Sequence, residues 1–300
     1  MRILYYDCFA GISGDMNLGA MIDLGVDADY LVNELKKLGL NNEYEIKVGR
    51  EIRKGIEGTK VDVILKGHDH SHDEEHNHVN LEEHCHEHHH HHEEEHCHDH
   101  HTHDHCHSHD HSQHQQMNNH HHHSSDHVHR NLKDIEDIIN SSELSTNVKK
   151  ISLNIFIKVA EAEAKVHGKP LYEVHFHEVG AIDSIVDIVG AAICLDYLKV
   201  DKIMASSIEL GGGFVKCAHG LIPVPAPATV EILKGTPVKS GIVPFETTTP
   251  TGAAILAANV DEFTNNVDFI IEKAAYGVGG RDTEIPNVLR VYLGKKKLES

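Results

Sequence analysis

The sequence predicts an α/β (α+β) fold: a mixed sheet with packed helices, interrupted by a long disordered His-rich insertion. Three observations predict it. Strand-like and helix-like runs interleave along the chain, which builds a sheet covered by helices. The 300 residues are 39% hydrophobic, enough to bury a sizeable core. Between His68 and His129 the composition changes abruptly, because 28 of the 32 histidines lie there with 14 Asp or Glu and no Lys or Arg. That segment has almost no aliphatic side chains, so it cannot offset chain entropy and is expected to be disordered without metal. The expected organisation is one core made of 1–67 and 130–300, with 68–129 inserted at a loop.

Each element has its own signal. "RILYY" is a short apolar strand, followed by the glycine-bearing loop "DCFAGISGDM" and a helical pattern over Met16–Leu38. "YEIKVGREIRKGIEGTKVDVIL" gives two strand-like runs around a turn near Lys54–Gly58. Helical periodicity resumes in "LKDIEDIIN" and "ISLNIFIKVAEAEAKVHG", the second closed by Gly168 with Pro170 beyond it. A helix is expected over Ile182–Leu198, a strand over Lys202–Leu210, and a helix opening near Pro227. "TTTPTGAAILAANV" reads as a loop entering another helix. "DFIIEKAAYGVGGRD" and "NVLRVYLG" read as late paired strands.

Charge narrows the partners. The formal net charge is −20, and the histidine tract alone contributes −14 of it. With no basic face evident, nucleic acid is not an expected partner, whereas metal cations are. The N-terminus "MRILYYDCFAGISGDM" lacks the features of a secretory signal, and no run approaches the roughly 18 apolar residues of a membrane span. Six irregularly spaced cysteines form no disulfide framework, and a reducing cytoplasm is the expected location.

Four regions carry candidate chemistry. The first is the tract, where "HCHDHHTHDHCHSHD" alternates imidazole, thiolate and carboxylate, all ligands of Ni²⁺, Zn²⁺ and Cu²⁺. Its candidate ligands include His88, His90, His96, His98, His105 and His107. A tag sits at a terminus as a uniform run, so the tract reads as a metal reservoir, with a low-complexity linker as the alternative. The second region is "HFHEVGAIDSIVD". His175 and His177 share a side if that segment is extended, Glu178 follows, and Asp183 and Asp187 lie four apart on the next helix. This is a candidate divalent-ion site, with the aspartates as alternative general bases; helix capping and ordinary hydrogen bonds are the plainer account.

The third is "YYDCFAGISGDM". Gly11, Ser13 and Gly14 allow backbone N–H groups to approach an anion at a helix start, and Asp7 and Asp15 are candidates to hold a neutralising metal. A tight turn explains the same residues. There is no G-x-x-x-x-G-K-[ST] pattern, which excludes a P-loop, and Phe9 stands where a haloacid-dehalogenase-type phosphatase has its second aspartate. The fourth is a set of later loops: "GGGF", Cys217 with His219, Thr249 with Thr251, and Arg281 with Asp282 as a candidate anion clamp.

"YYDCFAGISGDM", "VHFHEVGAIDSIVDIVGA", "HGLIPVPAPAT", "TPTGAA" and "GVGGRD…PNVLR", in this order around a histidine-rich insertion, resemble the LarC family of nickel insertion proteins in nickel-pincer cofactor biosynthesis. The likeness spans almost all of the chain outside the tract. It implies a nickel chelatase (a cyclometallase of the lyase class) that inserts Ni²⁺, the substrate ion, into pyridinium-3,5-bisthiocarboxylic acid mononucleotide. It also implies CTP hydrolysis with Mn²⁺ or Mg²⁺, a homo-oligomer, and delivery to nickel-pincer enzymes such as lactate racemase. Family members usually continue well past "PNVLRVYLG", so the family's C-terminal domain is expected to be absent. A separately encoded C-terminal fragment is then an expected partner, with the CTP site on it. Under this resemblance His175, His177 and Glu178 receive the ion, Asp15, Asp183 or Asp187 takes a ring proton, and Gly11–Asp15 or Arg281 meets the phosphate. A nickel storage protein or metallochaperone is the alternative function.

Overall fold

The computed structural model describes residues 1–66, 130–174, 176, 180–217 and 220–296. The tract, and with it the expectation of disorder there, lies outside the described residues.

Period-two alternation sorts the first strand, β1 (Arg2–Asp7), onto two faces. Leu4 and Tyr6 enter the main core under the helices. Ile3 and Tyr5 turn the other way, into a small cluster with Met204, Phe269 and Tyr292. Then follow α1 (Gly14–Leu24), α2 (Ala28–Leu35), and the hairpin β2 (Tyr44–Arg53) and β3 (Ile56–Leu65). After the tract come α3 (Leu132–Ser141), α4 (Thr146–His167), α5 (Ile182–Leu198), β4 (Lys202–Ala205), β5 (Ile208–Glu209), β6 (Phe214–Cys217) and β7 (Gly220–Pro223). The chain continues through α6 (Pro227–Ile232), β8 (Val238–Lys239), α7 (Pro250–Asn259), β9 (Glu262–Phe263), β10 (Ile270–Val278) and β11 (Val288–Lys295).

Seven strands form one mixed sheet in the order β2-β3-β10-β11-β1-β4-β9. β1 pairs antiparallel with β11 and parallel with β4, so strands from the two ends of the sequence flank each other. β10 and β11 pair antiparallel, as the late strand pair was expected to do. The fold is therefore α/β with a mixed sheet.

α1 lies on β3, β10 and β11, with α5 behind it and α4 packed on α5, α6 and α7. The approach of α1 to the sheet is close: a Cβ on Gly277 would fall 1.7 Å from the Met16 carbonyl oxygen. Buried side chains such as Ile155 and Phe156 on α4 fill the helical layer, each contributing roughly 1.5–3 kcal/mol.

Two expectations need correcting. The helical pattern over Met16–Leu38 is two helices, because a left-handed Gly25 closes α1 and Asp27 caps α2 by accepting from the Tyr30 N–H at 2.7 Å. The strand expected over Lys202–Leu210 is β4 and β5 in two different sheets. The break falls after Ser206, because the Ser207 N–H donates to the Asn265 side chain at 3.0 Å instead of continuing a ladder.

Candidate functional site

The loop that leaves β1 is tied to a loop 236 residues away in sequence. Ile12 forms a parallel bridge with Thr248, its N–H donating to the Thr247 carbonyl at 3.0 Å and its carbonyl accepting from the Thr249 N–H at 3.1 Å. The Thr247 and Thr248 hydroxyls both donate to the Glu209 carbonyl, at 2.9 and 2.6 Å. The Glu209 carboxylate accepts from the Gly211 and Ile242 N–H groups, at 3.1 and 3.3 Å. This strapping makes α1 and α7 begin side by side.

α5 opens at the same place, so three helix N-termini border one cavity of about 370 Å³. Ser13, Gly14 and Asp15 come from α1, Asp183, Ser184 and Asp187 from α5, and Thr249, Pro250 and Thr251 from α7. Asp62 on β3 and Glu246 complete its polar lining.

Asp187 is the most perturbed acid there. Its side chain lies flush against α1: a Cβ on Gly14 would come 2.1 Å from Asp187 Oδ2. Oδ1 is sealed from solvent without a hydrogen-bond partner. Burial pushes the Asp187 carboxyl well above the usual carboxylate range, the Asp15 and Asp183 charges add to this, and the Lys60 ammonium opposes it. Asp15 is held from both sides, by the Ser13 hydroxyl on Oδ1 and by Lys60 Nζ 3.5 Å from Oδ2. Lys60 also bonds the Asp62 carboxylate and the Val61 carbonyl, the latter at 3.1 Å. Burial would lower the Lys60 ammonium, but the bond to Asp62 and the Asp15 and Asp62 charges hold it above its ordinary value. The result is a carboxyl that holds its proton more tightly than an ordinary aspartate, set beside other carboxylates, the kind of group a general acid or base requires.

The structure brings together Ser13, Gly14, Asp15, Asp183 and Asp187 from the sequence candidates. It puts three others to different use. Asp7 faces Arg290 across the β1–β11 ladder and forms a two-nitrogen ion pair with it, at 2.6 and 2.9 Å. It is not among the residues lining the cavity. Gly11, at φ +82°, serves close packing rather than an anion cradle, since a Cβ there would lie 2.1 Å from the Thr247 carbonyl oxygen. Arg281 donates to the Glu246 carbonyl at 3.0 Å and lies 5.5 Å from the Phe245 ring centroid, steadying that loop. His175, His177, Glu178, His219 and the six candidate tract histidines lie outside the described residues. Among the described residues, no three His, Cys, Asp or Glu side chains are grouped to hold a metal ion. None is long and apolar enough, as a helix, to cross a membrane.

Lys60, Asp62, Ser184 and Glu246 escape the sequence reading. Lys60 and Asp62 look like ordinary polar positions of an alternating strand, and Glu246 sits in "PFETTTP", which has no periodicity. Thr249 before a Pro at the start of an apolar run is the signal of the α7 start beside the site.

The family model described as nickel insertion protein matches residues 4–300. The pyridinium-3,5-bisthiocarboxylic acid mononucleotide nickel insertion protein of Clostridium acetobutylicum is 65% identical over 297 residues, covering 99% of this chain and 65% of that protein. The protein of the same description from Clostridium kluyveri is 59% identical, covering 99% of this chain and 63% of its own length. A putative nickel insertion protein of Maridesulfovibrio salexigens is 61% identical over 293 residues, 98% of this chain and 63% of that one. The chain thus spans just under two thirds of the length of the curated relatives it matches. No solved structure matches it.

Proposed function

The chain belongs to the nickel insertion protein family, and from that premise we propose that it holds Ni²⁺ and inserts it into pyridinium-3,5-bisthiocarboxylic acid mononucleotide. One observation carries this reading beyond the family name: the cavity where Asp15, Asp183 and Asp187 meet at three helix starts, with Asp187 protonatable. Replacing a ring carbon–hydrogen bond by a carbon–nickel bond releases a proton while the bonding pair passes to the new bond. A base is therefore needed, and a carboxyl raised above the usual carboxylate range is a stronger base than an ordinary aspartate. Asp187 takes that role, and Asp15, fixed between Ser13 and Lys60, keeps a neighbouring charge that strengthens it.

The tract's 28 histidines serve as the Ni²⁺ reservoir, with His175, His177 and Glu178 as the receiving ligands. CTP with Mn²⁺ or Mg²⁺ does not fit this cavity: it is lined by carboxylates, and none of the described lining residues is a Lys or Arg to meet a triphosphate. A nucleotide-dependent step belongs to a further polypeptide segment, a nickel-pincer enzyme such as lactate racemase receives the product, and the whole works in the cytoplasm as a homo-oligomer.

The test is a metallation assay with the precursor, Ni²⁺, CTP, Mg²⁺ and a polypeptide supplying the remaining third of the relatives' length. The parent chain should yield the metallated product and Asp187→Asn should lose at least ~100-fold in rate, the usual scale for a removed general base. Parental rates in Asp187→Asn overturn the assignment. Storage is the second reading, favoured by the sheer number of imidazoles, and it predicts many bound ions with no product from any version.

A further inference from the structure

The charge around the cavity is one-sided. Asp15, Asp62, Asp183, Asp187 and Glu246 line it, and none of the described lining residues is Lys, Arg or His. Lys60 is not among the described lining residues and pairs with Asp15 and Asp62. The three helix N-termini ease this accumulation, each by about half a charge at most, so the surroundings still oppose an anion. Two groups point to a guest. Thr251 is 7% exposed, lines the cavity, and its hydroxyl bonds to no described residue. Asp187 Oδ1 is equally without a partner. The guest is not a bare metal ion held by this lining, because no three acidic, His or Cys side chains are grouped as ligands among the described residues. A volume of about 370 Å³ suits a small organic molecule. A small organic group with net positive charge meets every one of these conditions.

The precursor's ring becomes such a cation only in company. Its pyridinium nitrogen carries one positive charge and its two thiocarboxylates one negative charge each, so the metal-free ring end is net negative. Ni²⁺ on the sulfurs reverses the sign. We propose that the cavity selects the ring end of the mononucleotide by net positive charge, so that nickel must sit on the thiocarboxylates before the ring enters, while the phosphate stays outside. This rests on the functional reading above and adds the order of events to it. It places the carbon–hydrogen bond in the same enclosure as Asp187 only after the metal is aboard. It also replaces the phosphate site first expected at Gly11–Asp15, where Thr247 fills the space beside Gly11.

Nickel-free titrations of the full chain with three mononucleotides test the sign of the selection. Nicotinamide mononucleotide has a ring end of charge +1, nicotinic acid mononucleotide a ring end near zero, and the metal-free bisthiocarboxylated precursor a negative one, on the same ribose phosphate. The first should bind at least tenfold more tightly than the second, and the precursor should bind weakest. Asp183→Asn, at an exposed position, should narrow the gap severalfold, with circular dichroism confirming that the fold is kept. Equal affinities, no binding of any probe, or displacement of nicotinamide mononucleotide by inorganic phosphate overturns the inference. Failure of the ranking with metallation intact sinks the selection alone. The expected ranking with no metallation by any version sinks the functional reading instead.

Discussion

Asp187 carries a conflict between stability and use. A carboxyl whose folded-state pKa is raised binds its proton more tightly in the folded chain than in the unfolded one. Its contribution to stability is therefore complete below the unfolded value, about 3.9, and is lost as pH rises through the raised folded value. Asp187→Asn removes that titration. Parent and variant should melt alike near pH 4, and by about pH 8 the variant should be the more stable. Thermal denaturation followed across that range checks it, and parallel curves would mean that Asp187 is ionised throughout. A variant stabilised at the same position where it loses metallation is the signature of a residue kept for chemistry rather than for the fold.

At the scale of elements, the site depends on where helices begin. Thr249 caps α7 by accepting from the Gly252 N–H at 3.2 Å, and Pro250 occupies the first helical position, where no N–H is required. Thr249→Ala leaves the Gly252 N–H without that acceptor beside the cavity. The expected cost is about 1 kcal/mol, read as a fall of roughly 2–4 °C in Tm, with nicotinamide mononucleotide binding weakened in step. Thr249→Ser keeps an oxygen in place and should recover most of both losses. An unchanged Tm in Thr249→Ala would mean that water satisfies the freed group as well. Signals of this local kind were legible: Gly168 after the α4 pattern, and the four-residue spacing that puts Asp183 and Asp187 on one face of α5. The break between α1 and α2 was missed, because the apolar pattern over Met16–Leu38 runs on through Gly25 and Asp27, the stop and start residues that divide it. What no local pattern contains is the bridge from Ile12 to Thr248. Without it Asp15 has no reason to meet Asp187, and neither Lys60 nor Glu246 has a reason to matter. Asp7 shows the reverse case, since a carboxylate beside a glycine loop reads as a ligand until the β11 register supplies Arg290.

At the scale of the whole molecule, the described residues on either side of the tract meet at one residue, Glu43. The Lys66 N–H donates to the Glu43 carbonyl at 2.8 Å, and Arg130 grips both oxygens of the Glu43 carboxylate, at 2.8 and 2.7 Å. β2 and β3, before the tract, share a sheet with β10 and β11, after it. The core is therefore already closed where the tract departs and returns, and a short connection between Lys66 and Arg130 spans nothing that the tract alone can span. Replacing 67–129 by a linker of about six Gly and Ser residues should leave the fold intact. Closure entropy favours the shorter loop, each halving being worth about 0.6 kcal/mol, so unfolding in urea should show unchanged or higher stability, by up to ~2 kcal/mol. The two proposed roles should then separate. Equilibrium dialysis should find most of the bound Ni²⁺ gone, whereas metallation at saturating Ni²⁺ should run near the parental rate and fall behind only when the ion is scarce. A linker variant that unfolds would make the tract part of the core, and one that folds but cannot metallate at any Ni²⁺ concentration would make it part of the reaction.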